Sequence, residues 1–163
     1  MMKGYLNNPE ANAKTFTADG WMRTGDVGVF RSAIGEFYIV DRIKELVKYK
    51  GFQVAPAEIE ALLMGHDAVA DCCIVGVYDS SQATELPRAY VVLQAGSQPT
   101  EAMAKDIMNY VAKNVTNYKK LRGGVRFVDA IPKNASGKIL RREVKKWITA
   151  EQEKEASGLR ARL

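Results

Sequence analysis

Apolar residues fall along this chain in three rhythms, and each rhythm predicts an element. Spacing of three to four residues marks helices. It puts Ile59, Leu62 and Leu63 on one face of a helix from Pro56 to about Met64, with Pro56 in the first turn and Gly65 as its stop. It puts Met103, Ile107, Tyr110 and Val111 on the buried face of a helix from Pro99 to about Val115. A last helix runs from Arg141 to about Glu155, with Val144, Trp147 and Ile148 inward and Lys145 and Lys146 outward. Unbroken apolar runs at Cys72–Val77 and Ala89–Leu93 predict strands covered on both faces, joined by a polar loop over residues 79–87. Val125–Val128 is a further short strand. The third rhythm is a short strand-like run on each side of turn residues. Asp26–Phe30 and Glu36–Val40 flank Ser32–Gly35, and Leu46–Tyr49 and Phe52–Val54 flank Lys50-Gly51, so each pair reads as a hairpin. Residues 1–20 are polar, with a turn at Asn7-Asn8-Pro9, a short helix to Lys14 and a turn at Asp19-Gly20. Fraying is expected from Ala156 onward.

From residue 45 the order is hairpin, helix, strand, strand, helix, strand, helix. This is an α+β pattern: a small mixed domain with a central short sheet flanked by helices and a hairpin at its start. The earlier hairpin has little helix to cover it, and a lone hairpin is marginally stable. The opening segment therefore reads as a piece of a larger sheet, or else as an extension packed on its own domain. Residues 1–25 are expected to be poorly supported where nothing pairs with them.

Composition changes this picture in three places. The 163 residues are 47% hydrophobic, enough for one domain or a compact domain with an appendage. The net charge of +5 is unevenly spread: residues 1–50 carry +2, residues 51–116 carry −5 and residues 117–163 carry +8. A basic final third suits nucleic acid, phosphorylated small molecules or a plain solvated surface. Cys72 and Cys73 are adjacent inside an apolar run, poor geometry for a disulfide or a metal pair, and so read as buried thiols. His66 is the single histidine. It leaves no His cluster for zinc, and beside Gly65 and Asp67 it reads as a helix C-terminal cap. No apolar run approaches the length of a membrane span, and the N-terminus has no apolar signal region. The last three residues, Ala161-Arg162-Leu163, have the small-basic-leucine pattern of a peroxisomal address. Peroxisome or cytoplasm are the expected compartments, with a peroxisomal import receptor as a candidate partner through that tripeptide.

Three constellations carry candidate chemistry. Thr24-Gly25-Asp26 opens a strand with an aspartate free of a neighbouring side chain, suited to accepting two ribose hydroxyls or to capping a turn. The second, residues 41–52, reads DRIKELVKYKGF; Lys44, Lys48 and Lys50 share a parity and would share a face if the segment were straight. They suit an anionic ligand or the protection of a solvated edge strand. The third, residues 128–142, reads VDAIPKNASGKILRR and sets Lys138 just after Gly137 in a turn-rich segment between a strand and a helix. It is not a Walker A loop: Lys133 stands where the first glycine belongs, and Ile139 replaces the magnesium-binding hydroxyl. What remains is a lysine point charge for a phosphate or carboxylate oxygen, or a plain surface turn.

In this order, these stretches resemble the C-terminal part of the adenylate-forming superfamily, in its 4-coumarate–CoA ligase and firefly luciferase branch. The matching segments are GYLNNPEA at 4–11, DGWMRTGDVG at 19–28, VDRIKELVKYKGFQVAPAEIEALL at 40–63 and FVDAIPKNASGKILRREV at 127–144. The resemblance implies an enzyme that makes an acyl-adenylate from a carboxylic acid and ATP, then a thioester with coenzyme A after a small domain rotates. It implies that Asp26 holds the ribose hydroxyls, that Arg42 also contacts the ribose and that Lys44 is the hinge. It gives Lys138 to the carboxylate and α-phosphate during adenylation. Lys48 and Gln53 go to nucleotide contacts and the thioester-forming arrangement, on the opposite face of the small domain. Lys50, Gly51 and Phe52 go to the turn lining the pantetheine route.

The domains it implies are 1–41 as the end of a large N-terminal domain, 42–44 as hinge, 45–155 as the mobile C-terminal domain and 156–163 as a flexible tail. The partners it implies are that large domain, a small-molecule carboxylic acid and CoA, with no nucleic acid. ATP, AMP and CoA are substrates, and Mg2+ is expected with its ligands outside these residues. The chain alone is expected to be inactive, because the acyl pocket and the Ser/Thr/Gly-rich nucleotide loop are not in it. The alternatives are the equivalent portion of a carrier-protein-loading adenylation domain and, more remotely, a basic nucleic-acid-binding or adaptor module.

Overall fold

The computed structural model describes residues 2–160, with side chains as far as Gln152. Ala161-Arg162-Leu163, read above as a peroxisomal address, lies outside the described residues. The chain forms two compact units that divide between Lys44 and Glu45.

The first unit holds a short helix, α1 (Pro9–Thr15), and one antiparallel hairpin, β1 (Asp26–Arg31) with β2 (Glu36–Arg42). Asn8 starts α1 by accepting the Ala11 N–H at 3.0 Å, with Pro9 in the first turn. The hairpin is uncovered. Phe37 is 76% exposed and its neighbour Tyr38 38%, and alternate strand residues point to opposite faces, so neither face is buried. Trp21 and Ile39 are likewise exposed, and Asp41 is the one buried residue among those described in this unit. A ribbon of this kind has no core of its own.

The second unit holds β3 (Val47–Tyr49), β4 (Phe52–Val54), α2 (Pro56–Leu63), β5 (Val69–Asp79), β6 (Thr84–Leu93), α3 (Glu101–Asn114), a single 3-10 turn (Asn117–Lys119), β7 (Val125–Phe127) and α4 (Arg141–Arg160). β6 is the centre of a three-stranded sheet, antiparallel to β5 and parallel to β7. The alternation along β5 divides the interior in two. Cys72 and Ile74 face one core with Val47, Val54, Ile59, Leu63, Ile107 and Val111. Cys73, Val75 and Val77 face the other, with Tyr90, Ile131, Val144 and Ile148. Thus α2, α3 and the β3–β4 hairpin cover one face of the sheet and α4 covers the other. Burying both faces is what the unbroken apolar runs required.

The two cysteines are free and sit in different cores. Burial, then the Glu60 carboxylate, pushes each thiol up to about 12. Both thiols are therefore expected to resist alkylation by iodoacetamide at pH 8 in the folded chain and to react once urea unfolds it. Rapid native labelling of either would contradict their placement.

Some boundaries differ from the sequence pattern. The polar loop expected over 79–87 shrinks to 80–83, because β6 begins at Thr84 and runs through Pro87. Pro87 is tolerated since its carbonyl accepts the Gly123 N–H at 2.8 Å, so its nitrogen points to the same side, where β7 pairs only from Ala89. The second long helix starts at Glu101, capped by Thr100, rather than at Pro99. The last helix runs to Arg160, past the Glu155 expected from its apolar spacing. Lys44, Lys48 and Lys50 do not share a straight strand: Lys44 lies in a turn, Lys48 on β3 and Lys50 in the hairpin turn.

Candidate functional site

Asp26 begins β1 and pairs across the hairpin with Arg42. The preceding Gly25 adopts φ +76, and its carbonyl accepts the Ile43 N–H at 2.9 Å, which closes the ladder just beyond the pair. The Arg42 Nε lies 3.4 Å from Asp26 Oδ1. The Asp26 side chain is 24% exposed, so it still reaches solvent beside its partner. The two residues read as ribose contacts therefore stand together, as an aspartate oriented by an arginine. Lys44 closes this unit in an exposed turn.

In the second unit, Lys50 at φ +45 and Gly51 at φ +83 make the two-residue turn between β3 and β4. Positive φ at both positions is the geometry of a type I′ turn. Lys48 and Gln53 are direct cross-strand partners, both exposed, while Val47 and Val54 pair on the buried face. The hairpin is fastened from β6. The Lys48 N–H donates to Glu85 Oε2 at 2.7 Å, the Lys50 N–H donates to Thr84 Oγ1 at 2.7 Å, and that hydroxyl donates to the Lys48 carbonyl at 3.0 Å. Phe52 stacks on Tyr118 with ring centroids 4.5 Å apart and planes 9° from parallel. The Arg122 guanidinium and the Lys50 ammonium lie over the Tyr49 ring at 5.2 and 5.6 Å. Five of the sequence candidates (Lys48, Lys50, Gly51, Phe52 and Gln53) are thus one rigid turn.

Lys138 stands apart from that turn, on the loop between β7 and α4. Ile131 is buried in the second core, and the Leu140 N–H donates to the Pro132 carbonyl at 2.8 Å. Lys133 bridges to Ile139, and its ammonium pairs with Asp71 of β5 at 2.6 Å. Gly137 takes φ +79, which lets the chain turn into Lys138. Lys138 is exposed and makes no ion pair among the described residues. Three residues on, Arg141 joins Glu45 at 3.0 Å and Glu60 of α2. The pattern of the sequence did not reveal Arg141, Thr84, Glu85 or Tyr118, whose partners are far away along the chain.

His66 caps the end of α2 through its backbone, its N–H donating to the Leu63 carbonyl at 3.0 Å, and its ring adds a further tie. Its Nδ1 accepts the Ala68 N–H at 3.2 Å and its Nε2 faces Asp106 of α3 at 3.3 Å, so the ring fastens the turn after α2 to α3. Among the described residues no group of His, Cys, Asp and Glu is placed to hold a metal, and no helix is long and apolar enough to cross a membrane.

A family model for the AMP-binding enzyme C-terminal domain matches residues 58–138. The chain is 54% identical over 150 residues to 4-coumarate–CoA ligase 5 of Oryza sativa subsp. japonica, across 92% of this chain and 27% of that one. It is 51% identical over 139 residues to a luciferin 4-monooxygenase of Nipponoluciola cruciata, across 85% of this chain and 24% of that one. The structure of an o-succinylbenzoate CoA synthetase from Bacillus subtilis, in complex with its acyl-adenylate intermediate, superimposes with a TM-score of 0.76 at 34% identity. That match covers 89% of this chain and 28% of the other. The chain thus spans about a quarter of the length of the curated relatives it matches.

Proposed function

We propose that this chain, whose residues 58–138 belong to the family of AMP-binding enzyme C-terminal domains, is the C-terminal catalytic portion of an ATP-dependent carboxylic acid–CoA ligase. The observation that carries this reading is Lys138: an exposed ammonium without an ion pair among the described residues, at the tip of a hydrogen-bonded loop. In the first step a carboxylate oxygen attacks the α-phosphorus of ATP and pyrophosphate leaves. Lys138 offsets the charge that builds on the phosphoryl oxygens and brings two anions together. In the second step the CoA thiolate attacks the acyl carbonyl and AMP leaves. Lys48 and Gln53 contact the nucleotide in that arrangement, and the turn at Lys50, Gly51 and Phe52 lines the path of the pantetheine arm. Asp26 accepts the ribose hydroxyls, and Arg42 both orients it and contacts the sugar.

The uncovered β1–β2 hairpin supports reading residues 1–41 as the edge of a large N-terminal domain, with its sheet completed by strands from that domain. Lys44, between the two units, is the hinge in this reading, and alternation about it presents first the Lys138 loop and then the β3–β4 turn. Since the chain spans only about a quarter of its relatives' length, the acid pocket and any Mg2+ ligands lie outside it, and the chain alone is inactive. The test is to separate the half-reactions in a full-length ligase carrying this segment. Lys48→Ala or Gly51→Val is expected to slow CoA-dependent thioester formation about tenfold or more, while ATP–pyrophosphate exchange stays near wild type. Equal loss of both half-reactions would remove the two-face reading. At Gly51 the cause is backbone strain, because φ +83 is a conformation a β-branched residue rarely adopts.

A further inference from the structure

Every residue from Lys133 to Lys138 is exposed or only partly covered, so no core packing holds this loop in shape. A lysine on such a segment would ordinarily wander, yet a charge offsets a transition state only if it is already in place. At the tip of the loop the order centres on one residue. Asn134 Oδ1 accepts three hydrogen bonds: from the Ser136 N–H at 3.1 Å, the Ser136 hydroxyl at 2.8 Å and the Lys138 N–H at 2.9 Å. The Asn134 main chain adds two more, donating to the Lys138 carbonyl at 3.0 Å and accepting the Gly137 N–H at 2.9 Å. Both backbone polar groups of Lys138 therefore end on Asn134. The same residue is the last rung of a small ladder whose lower rungs are the Lys133–Ile139 bridge and the Leu140–Pro132 hydrogen bond. That ladder stands on the buried Ile131 and on the Lys133–Asp71 ion pair.

We propose that Asn134 is a positioning residue for adenylation: its carboxamide oxygen fixes the backbone of Lys138, so that the ammonium is delivered from a preset geometry. The proposal rests on the reading of Lys138 given above. It makes a chemical distinction that can be measured, because only the acceptor Oδ1 takes part in the described bonds. Aspartate keeps that oxygen and alanine removes it.

The experiment uses a full-length ligase carrying this segment, with Asn134→Ala, Asn134→Asp and Lys138→Ala assayed in parallel. Adenylation is read by ATP–pyrophosphate exchange, and thioester formation by CoA consumption from a supplied acyl-adenylate. Asn134→Ala is expected to lower the adenylation rate about 10- to 100-fold, mostly in kcat, while thioester formation is unchanged. Asn134→Asp is expected to recover most of the loss. The proposal is overturned if Asn134→Ala adenylates at the wild-type rate, if both half-reactions fall together, or if aspartate is as damaging as alanine. A silent Lys138→Ala would sink the Lys138 reading and this inference with it. A damaging Lys138→Ala beside a silent Asn134→Ala would sink this inference alone.

Discussion

Replacing Lys138 by alanine in a full-length ligase carrying this segment is expected to lower the rate of acyl-adenylate formation about 10²- to 10³-fold, the usual cost of removing one preorganised electrostatic contact. Thioester formation from a supplied acyl-adenylate is expected to change little. The asymmetry follows from what Lys138 does in the fold, which is nothing structural. Its side chain is exposed and has no ion pair among the described residues, so its loss leaves no orphaned partner. Its backbone bonds to Asn134 are made equally well by alanine. The melting temperature should therefore stay close to wild type, as for other surface substitutions. Arginine is expected to restore only part of the rate: its charge is kept, but a planar fork replaces a compact ammonium on the same fixed stem. Pyrophosphate exchange within twofold of wild type for Lys138→Ala would refute the assignment of adenylation to this loop.

The fold was legible where a local rule decides it. Pro56 and Gly65 bracket α2, the Lys50-Gly51 pair sets the β3–β4 turn, and the apolar runs at Cys72 and Ala89 announce a sheet buried on both sides. The start of β6 was not legible. Thr84, Glu85 and Pro87 look like loop residues, and Thr84 and Glu85 belong to the strand because they fasten β3, about 35 residues earlier in the chain. The lysine parity failed for a similar reason, since the division between the two units falls after Lys44 and breaks the segment that the alternation treats as continuous.

The site divides the same way. A turn presenting Lys138 could be read from Asn134, Ser136 and Gly137. The asparagine followed two residues later by serine is also the local signal for the hydrogen bonds that order the loop. The supports that come from across the domain left no such trace. Tyr118 beneath Phe52 and Glu60 beside Arg141 are separated from their partners by 66 and 81 residues, and only the packed fold brings them together.

Arg141→Met is expected to destabilise the second unit by about 3–5 kcal/mol, the cost of breaking a largely buried ion pair from one side. For a unit of this size that corresponds to a fall of roughly 10–20 °C in melting temperature. The Arg141 side chain is 14% exposed and its two carboxylate partners, Glu45 and Glu60, are 27% and 12% exposed. Removing the guanidinium takes the charge that faces both acids away from them. Glu60 cannot swing away freely, because its other oxygen accepts the Ile74 N–H of β5 at 2.7 Å. The exposed Lys14–Glu10 pair on α1 is the contrast: with side chains 74% and 80% exposed, its loss should be nearly silent. The loss at Arg141 should be dominated by stranded charge rather than by missing attraction. Combining Arg141→Met with Glu45→Gln and Glu60→Gln should therefore return much of the stability, since the carboxamide introduced by Glu60→Gln still offers the Ile74 N–H an oxygen. Urea and thermal unfolding of the single and triple variants measure this directly. A triple variant no more stable than Arg141→Met would show that the network contributes its own attraction. A single variant as stable as wild type would show that Arg141 does not hold Glu45, the first residue after the proposed hinge, to the helix that follows the Lys138 loop.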